Sequence, residues 1–140
     1  MFTTVLSALV CFALCQQVQS ATDTPDPGSV SLGNTADGQL ALAGITTGIY
    51  NSAFGFYSLL SNSDASFNTG VGAGTLLSSD GTQNTAVGAA VLLSNTTAGS
   101  NTAVGTFAMF FNFDGTDNTA VGDEALEFNV SAFTNAARST

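Results

Sequence analysis

One five-residue motif recurs along this chain at a nearly constant interval, and this repetition strongly limits the folds available to it. Identical copies of Asn-Thr-Ala-Val-Gly occupy residues 84–88, 101–105 and 118–122. Looser copies begin at residues 34, 51 and 68, so the successive starts are separated by 17, 17, 16, 17 and 17 residues. A fixed period of this length is typical of a solenoid, in which each repeat forms one coil that packs against its neighbours.

We number the six repeats as coils one to six and count the columns of each coil from its asparagine. Column five is always glycine, which predicts a bend where a side chain would meet the next coil. Column four is mostly valine and column nine mostly leucine, and we expect both ladders to fill a narrow interior. Stacked asparagines at column one are expected to hydrogen-bond to one another and to the turn backbone. The predicted structural ladder is Asn51, Asn68, Asn84, Asn101, Asn118, Val71, Val87, Val104, Val121, Gly55, Gly72, Gly88, Gly105, Gly122, Leu59, Leu76, Leu92, Met109 and Leu126.

The predicted fold is all-β: a parallel β-solenoid (β-roll) of about six 16–17-residue coils. Each coil is expected to carry two short strands, at columns two to four and roughly seven to eleven, with coils stacked ~4.8 Å apart. A helix is the competing interpretation for residues 88–93, but six residues between a glycine and an asparagine turn are too few to stand alone. The residue missing from coil three falls within 78–83, a loop, where its loss should leave the strand register intact.

The solenoid forms only part of the predicted organisation. Residues 1–20 contain an eleven-residue apolar run, which fits a signal peptide and is too short to span a bilayer. The alternatives are a lipid anchor at Cys15 and an N-terminal segment that is not cleaved and stays in the membrane. Residues 21–33 form a Pro/Ser/Thr linker, 34–134 the β-roll and 135–140 a degenerate seventh repeat. We therefore expect a secreted or cell-surface chain without a stable membrane anchor of its own. Cleavage after Ser20 would also remove both cysteines, leaving a fold without disulfides.

Composition excludes several function classes. The chain has one basic residue, Arg138, against ten acidic ones, which argues against nucleic acid as a partner. It has no histidine and no lysine, so the commonest general base and the Schiff-base amine are absent. We therefore expect no enzyme, no cofactor and no metal. The acidic cluster of Asp123, Glu124 and Glu127 is interpreted as solvated charge that blocks end-to-end stacking, in preference to a Ca²⁺ site.

Adjacent apolar residues at columns nine and ten indicate a second covered surface. Neighbouring side chains on a strand point to opposite faces, so column ten should form an apolar stripe outside the core. Such a stripe marks an interface, and we expect a homo-oligomer; the alternative is a wider coil that buries both columns. The candidate interface residues are Leu60, Leu77, Leu93 and Phe110.

Two further groups of residues allow more than one interpretation. Phe107, Phe110, Phe111 and Phe113 crowd coil five and predict either interface packing or an adhesive patch. Asn95-Thr96-Thr97 and Asn129-Val130-Ser131 are N-glycosylation sequons, which matter only in a host that modifies such sites.

With these columns in view, the chain resembles the head repeats of trimeric autotransporter adhesins, the YadA-like left-handed parallel β-roll, from residue 34 to about 135. It resembles more closely bacterial surface and phage-fibre proteins built from runs such as Asn-Thr-Ala-Val-Gly-x-x-Ala-Leu, which residues 84–95 match best. The resemblance implies two short strands per coil, three chains packed side by side and an adhesive role.

These observations lead to one principal hypothesis and two rivals. The principal one is a secreted or cell-surface structural and adhesive module that binds a host surface, matrix molecules or other cells through repeated side chains. A phage-fibre or surface-layer segment without a ligand is one rival. The other is an ice-binding solenoid, which would need more than the single hydroxyl column that the sequence predicts to face outward. That column contains Thr35, Ser52, Thr69, Thr85, Thr102 and Thr119.

Overall fold

A computed structural model describes residues 32–129 and the strand Ala136–Arg138, and in these residues the chain is a parallel β-solenoid. Each coil contributes one three-residue strand at columns two to four, and all strands join one parallel sheet in chain order. None of the described residues belongs to a helix long and apolar enough to cross a membrane. The strands are β1 Thr35–Asp37, β2 Ser52–Phe54, β3 Thr69–Val71, β4 Thr85–Val87, β5 Thr102–Val104, β6 Thr119–Val121 and β7 Ala136–Arg138.

The register of the sheet pairs like with like, as the repeat predicts. Thr85 pairs with Thr102, and Val87 with Val104. The register also survives the short coil: Thr69 pairs with Thr85 although only 16 residues separate them. The fold class is therefore confirmed, and so is the expectation that the deletion spares the strands.

The second strand predicted in each coil is wrong. Columns seven to eleven form turns, and the column-nine residues have a positive φ, for example 50° at both Leu76 and Leu92. The backbone here still pairs between coils, because the Leu76 amide donates to the Val91 carbonyl at 3.0 Å. Two consecutive residues, Val91 and Leu92, are fully buried, which strand geometry would forbid because it alternates the faces. The left-handed residues provide the bend that places both side chains inside.

The interior also differs from the prediction in one column. The core consists of column-three alanines facing column-nine residues, and Ala86, Ala103, Leu76 and Leu92 all have no exposed surface. The column-four valines predicted to fill the interior point outward instead. Their exposed fractions are 40% for Val71, 37% for Val87, 37% for Val104 and 44% for Val121.

The physical reason is the narrowness of the coil. In a three-residue strand only the central side chain points inward, and behind it lies the leucine ladder. At Gly70, the column-three glycine of coil three, even a methyl group would lie 2.6 Å from the Ser58 Oγ and 2.8 Å from the Leu59 Cδ1. The interior therefore has room for at most a methyl group at column three, as at Ala86 and Ala103, and in coil three for none.

Candidate interaction surface

The outward side chains of columns two and four form one continuous surface, which we call the strand face. The column-two hydroxyl residues are half-buried or exposed. Beside them lies an apolar ladder of five exposed side chains: Phe54, Val71, Val87, Val104 and Val121. With strands ~4.8 Å apart, five steps from β1 to β6 extend the face over roughly 24 Å. The strand face is therefore a regular array of methyl, aromatic and hydroxyl groups.

Charge is almost absent from the strand face. Among its described side chains the only charged one is Asp37, in β1 at one end of the sheet. From β2 to β6 the outward residues are threonine or serine in one ladder and valine or phenylalanine in the other. A surface of this kind suits contact with another uncharged surface.

The candidate interface predicted at column ten is less exposed than the strand face. Leu60, Leu77, Leu93 and Phe110 are half-buried and stack outside the core in successive coils. They belong to the turn segment and not to the strands, so the structure does not bring them onto the strand face. Their role as an interface stays a prediction, while the larger exposed apolar ladder lies at column four.

Coils five and six carry an aromatic cluster. The ring centroids of Phe110 and Phe111 are 4.5 Å apart, and Phe111 stacks on Phe128 at 5.2 Å. Phe113 is 40% exposed and Phe128 66% exposed. The sequence interpretation missed Phe128, although this residue occupies the same column as Phe111, one coil later. The cluster is partly packed and partly open to solvent.

A ladder of buried asparagines runs along column one, as the sequence predicts. The side-chain oxygen of each asparagine accepts a hydrogen bond from the backbone amide of the next one, as at Asn84 Oδ1 and the Asn101 amide, 3.0 Å apart. In four of these asparagines the side-chain nitrogen donates within its own coil, as from Asn101 Nδ2 to the Gly115 carbonyl at 2.8 Å. The Asn68 nitrogen donates instead to Asn62 Oδ1 of the preceding coil, at 3.4 Å. The column-one asparagines thus tie each coil to the next, and four of them also close their own loop.

A second asparagine ladder at column twelve was not anticipated. Asn112 Nδ2 donates to Asn95 Oδ1 at 2.7 Å and to the Gly115 carbonyl at 2.8 Å. Asn129 Nδ2 in turn donates to Asn112 Oδ1 at 2.7 Å. The recurrence of asparagine at column twelve in four coils was the available sequence signal: Asn62, Asn95, Asn112 and Asn129.

The second asparagine ladder contains the asparagines of both sequons, Asn95 and Asn129. The side chain of Asn95 is fully buried and that of Asn129 is 5% exposed. Asn95 Nδ2 donates to the Ala98 carbonyl at 2.7 Å, so the nitrogen that would carry a glycan is engaged in the scaffold. In the folded solenoid both sequon asparagines act as structural residues.

The acidic cluster lies on the turn of coil six. Asp123 and Glu124 are exposed and Glu127 is half-buried. Within the described residues no three histidine, cysteine, aspartate or glutamate side chains lie close enough together to hold a metal ion. The interpretation of the cluster as solvated charge stays a prediction.

The chain matches no known family model, no curated protein and no solved structure. Its function is therefore argued from the arrangement of its own surfaces.

Proposed function

We propose that this chain is a non-catalytic structural module, secreted or displayed at a cell surface, that forms a trimer through its strand face and adheres through its loops. The exposed apolar ladder at column four supports this proposal most directly. A continuous apolar stripe along one face of a sheet is typical of a protein–protein interface, because association removes this surface from water. The resemblance to trimeric adhesin heads supports the number of chains.

The energies are consistent with association through this face. Full burial of a valine or phenylalanine contributes about 1.5–3 kcal/mol, so covering the exposed two-fifths contributes roughly 1 kcal/mol per side chain. Five such side chains contribute roughly 5 kcal/mol per chain. The side chains in front of β4 and β5 are short threonines and valines, so a neighbouring chain can approach these strands closely. A single charge in the ladder would be buried without a partner, at a cost comparable with this total.

The test is the mass of the protein in solution. Light scattering after size-exclusion chromatography should give three times the chain mass for the unaltered protein at micromolar concentration. Val87→Asp combined with Val104→Asp should give a monomer, because each trimer would bury six carboxylates. Thr106→Asp is the matched control, because Thr106 is exposed on the turn outside the strand face, and it should keep the trimer mass. A monomeric unaltered protein, or a trimer in the double variant, would contradict the proposal.

Ice binding is the second candidate function, and the outward valines favour it. On the strand at columns two to four, the sequence predicted only the hydroxyl column to face outward. In the structure Phe54 and the four column-four valines lie beside that column on the strand face. Threonine and valine have nearly the same shape, so the two columns present a regular lattice of methyl and hydroxyl groups that could order water. Self-association and ice binding compete for this face. Thermal hysteresis in a monomeric preparation would favour ice binding. A trimer without thermal hysteresis would favour the structural and adhesive module.

A further inference from the structure

A recess opens on the loop side of the solenoid, away from the strand face. Its volume is about 260 Å³. Hydroxyl groups dominate its lining, with one carboxylate among them. The lining residues are Ser61, Ser78, Ser79, Asp80, Thr96 and Thr97.

The recess lies where coil three is one residue short. Coils two, four and five each place two residues between column twelve and the buried residue at column fifteen, whereas Asp80 alone connects Ser79 to Gly81. The Asp80 amide reaches the Thr96 carbonyl of coil four at 2.6 Å, so the shortened loop follows its neighbour closely. The recess therefore lies beside the one shortened loop of the described coils.

The polar groups in the recess are held in place by the scaffold. The Asp80 Oδ1 accepts a hydrogen bond from the Ser63 amide at 3.1 Å, which ties the carboxylate to the loop of coil two. The fully buried side chain of Asn95 donates to the Ser79 Oγ at 3.1 Å, which orients that hydroxyl. Ser61, Ser78 and Thr97 add exposed hydroxyl groups, each able to donate and to accept.

An aromatic side chain lies one coil beyond the recess. Thr96 Oγ1 donates to the Phe113 carbonyl at 2.9 Å, so these residues are direct neighbours in the loop row. The Phe113 side chain is 40% exposed, and it contacts Phe111 in the aromatic cluster. Hydroxyl groups and a carboxylate beside an exposed ring match the two faces of a sugar, whose hydroxyls need hydrogen-bond partners and whose C–H surface packs on aromatic rings.

We propose that this recess binds a neutral pyranose sugar, with the Asp80 carboxylate accepting hydrogen bonds from sugar hydroxyls and Phe113 lying against the ring. The ligand is neutral because Asp64, Asp80 and Asp114 give this row of loops a negative potential, which repels sialic acid, sulfate and phosphate. The chain's only basic residue is Arg138, whose register position belongs to the sheet at β7 and not to this row. The inference specifies the adhesive partner of the proposed function, and in a trimer three such recesses would bind multivalently.

Saturation-transfer NMR tests the proposal with the purified protein. The probes are the methyl pyranosides of glucose, galactose, mannose and N-acetylglucosamine, with N-acetylneuraminic acid as the anionic probe. At least one neutral probe should receive saturation and the anionic one should not. Insertion of a threonine between Asp80 and Gly81 restores the 17-residue period and fills the recess, so it should abolish the signal while the circular dichroism spectrum is unchanged.

Point variants assign the role of the carboxylate. Asp80→Asn keeps an oxygen for the Ser63 amide but removes the charge, and should weaken sugar binding about tenfold. Asp64→Asn is the matched control, because Asp64 is an exposed loop aspartate of the preceding coil outside the recess lining, and it should leave binding unchanged. Absence of saturation with all four neutral probes, or unchanged binding in the insertion variant, would overturn the proposal. Light scattering on the same samples distinguishes failure of sugar binding from failure of the proposed function. A trimer that binds no sugar would refute the sugar site and leave the proposed trimer standing.

Discussion

Gly105→Ala is expected to lower the free energy of unfolding by more than about 4 kcal/mol, one of the largest effects available to a single methyl group in this chain. Gly105 has φ +135°, far from the left-handed minimum near +57° that other residues tolerate. A Cβ at this position would overlap the carbonyl group of Gly122 in the next coil and lie 3.2 Å from the Asp123 nitrogen. The next coil cannot retreat, because the Gly122 amide is bonded to the Val104 carbonyl at 2.8 Å.

Gly74→Ala provides the matched control. Gly74 also has a positive φ, +67°, but the nearest atom to an added Cβ would be 3.8 Å away. Ala90 occupies the same column one coil later at φ 53°, so alanine is accommodated there, and a cost of about 1 kcal/mol is expected. Urea unfolding followed by circular dichroism at one protein concentration measures both variants. Equal costs would mean that backbone conformation, and not collision between coils, accounts for the glycine column.

The repeat period made much of this fold predictable. Coils of similar sequence stack most simply with each residue above its counterpart, so the spacing of the asparagines predicts the parallel register without any information on side-chain direction. The same logic located the column-five glycines and the column-one asparagines, because both act between one coil and the next. Features that repeat along the stack were therefore accessible from the sequence.

Hydrophobicity alone does not predict which way the column-four side chains point. Valine suggested burial, and the period says which residues form a ladder without saying which side of the coil the ladder faces. Variation within the column contained the answer. Column four holds Asp37 and Phe54 as well as valine, a range of size and charge that a narrow interior cannot accept, whereas column three holds only alanine and glycine.

The strand predicted at columns seven to eleven was wrong for a different reason. Leucine at positive φ is rare, since a branched side chain crowds the backbone in that region, so no propensity argument would place Leu59, Leu76 and Leu92 there. The column-ten interface was inferred from strand alternation, and this inference loses its basis where the chain is not a strand. The loop recess could not be predicted at all, because it depends on how the backbone closes around one missing residue.

Asn101→Ala is expected to lower the free energy of unfolding by about 3 kcal/mol, from three lost hydrogen bonds at about 1 kcal/mol each in a site that water cannot reach. Asn101 is fully buried, and its side chain donates to the Gly115 carbonyl at 2.8 Å and to Asn84 Oδ1 at 3.2 Å. Its Oδ1 accepts from the Asn118 amide at 3.0 Å. Alanine removes all three bonds and leaves a cavity between coils five and six.

Asn34→Ala tests whether burial is the cause. Asn34 is the column-one asparagine of coil one and makes equivalent bonds, with its Oδ1 accepting from the Asn51 amide at 2.7 Å and its Nδ2 donating to the Gly48 carbonyl at 2.8 Å. It is only half-buried, so water can replace part of what is lost, and a cost of about 1 kcal/mol is expected. Urea unfolding should therefore rank the two variants clearly. Equal costs would show that burial adds nothing to the stability that these hydrogen bonds contribute. A larger cost at Asn101 means that each coil is held by buried polar bonds that its neighbours shield from water.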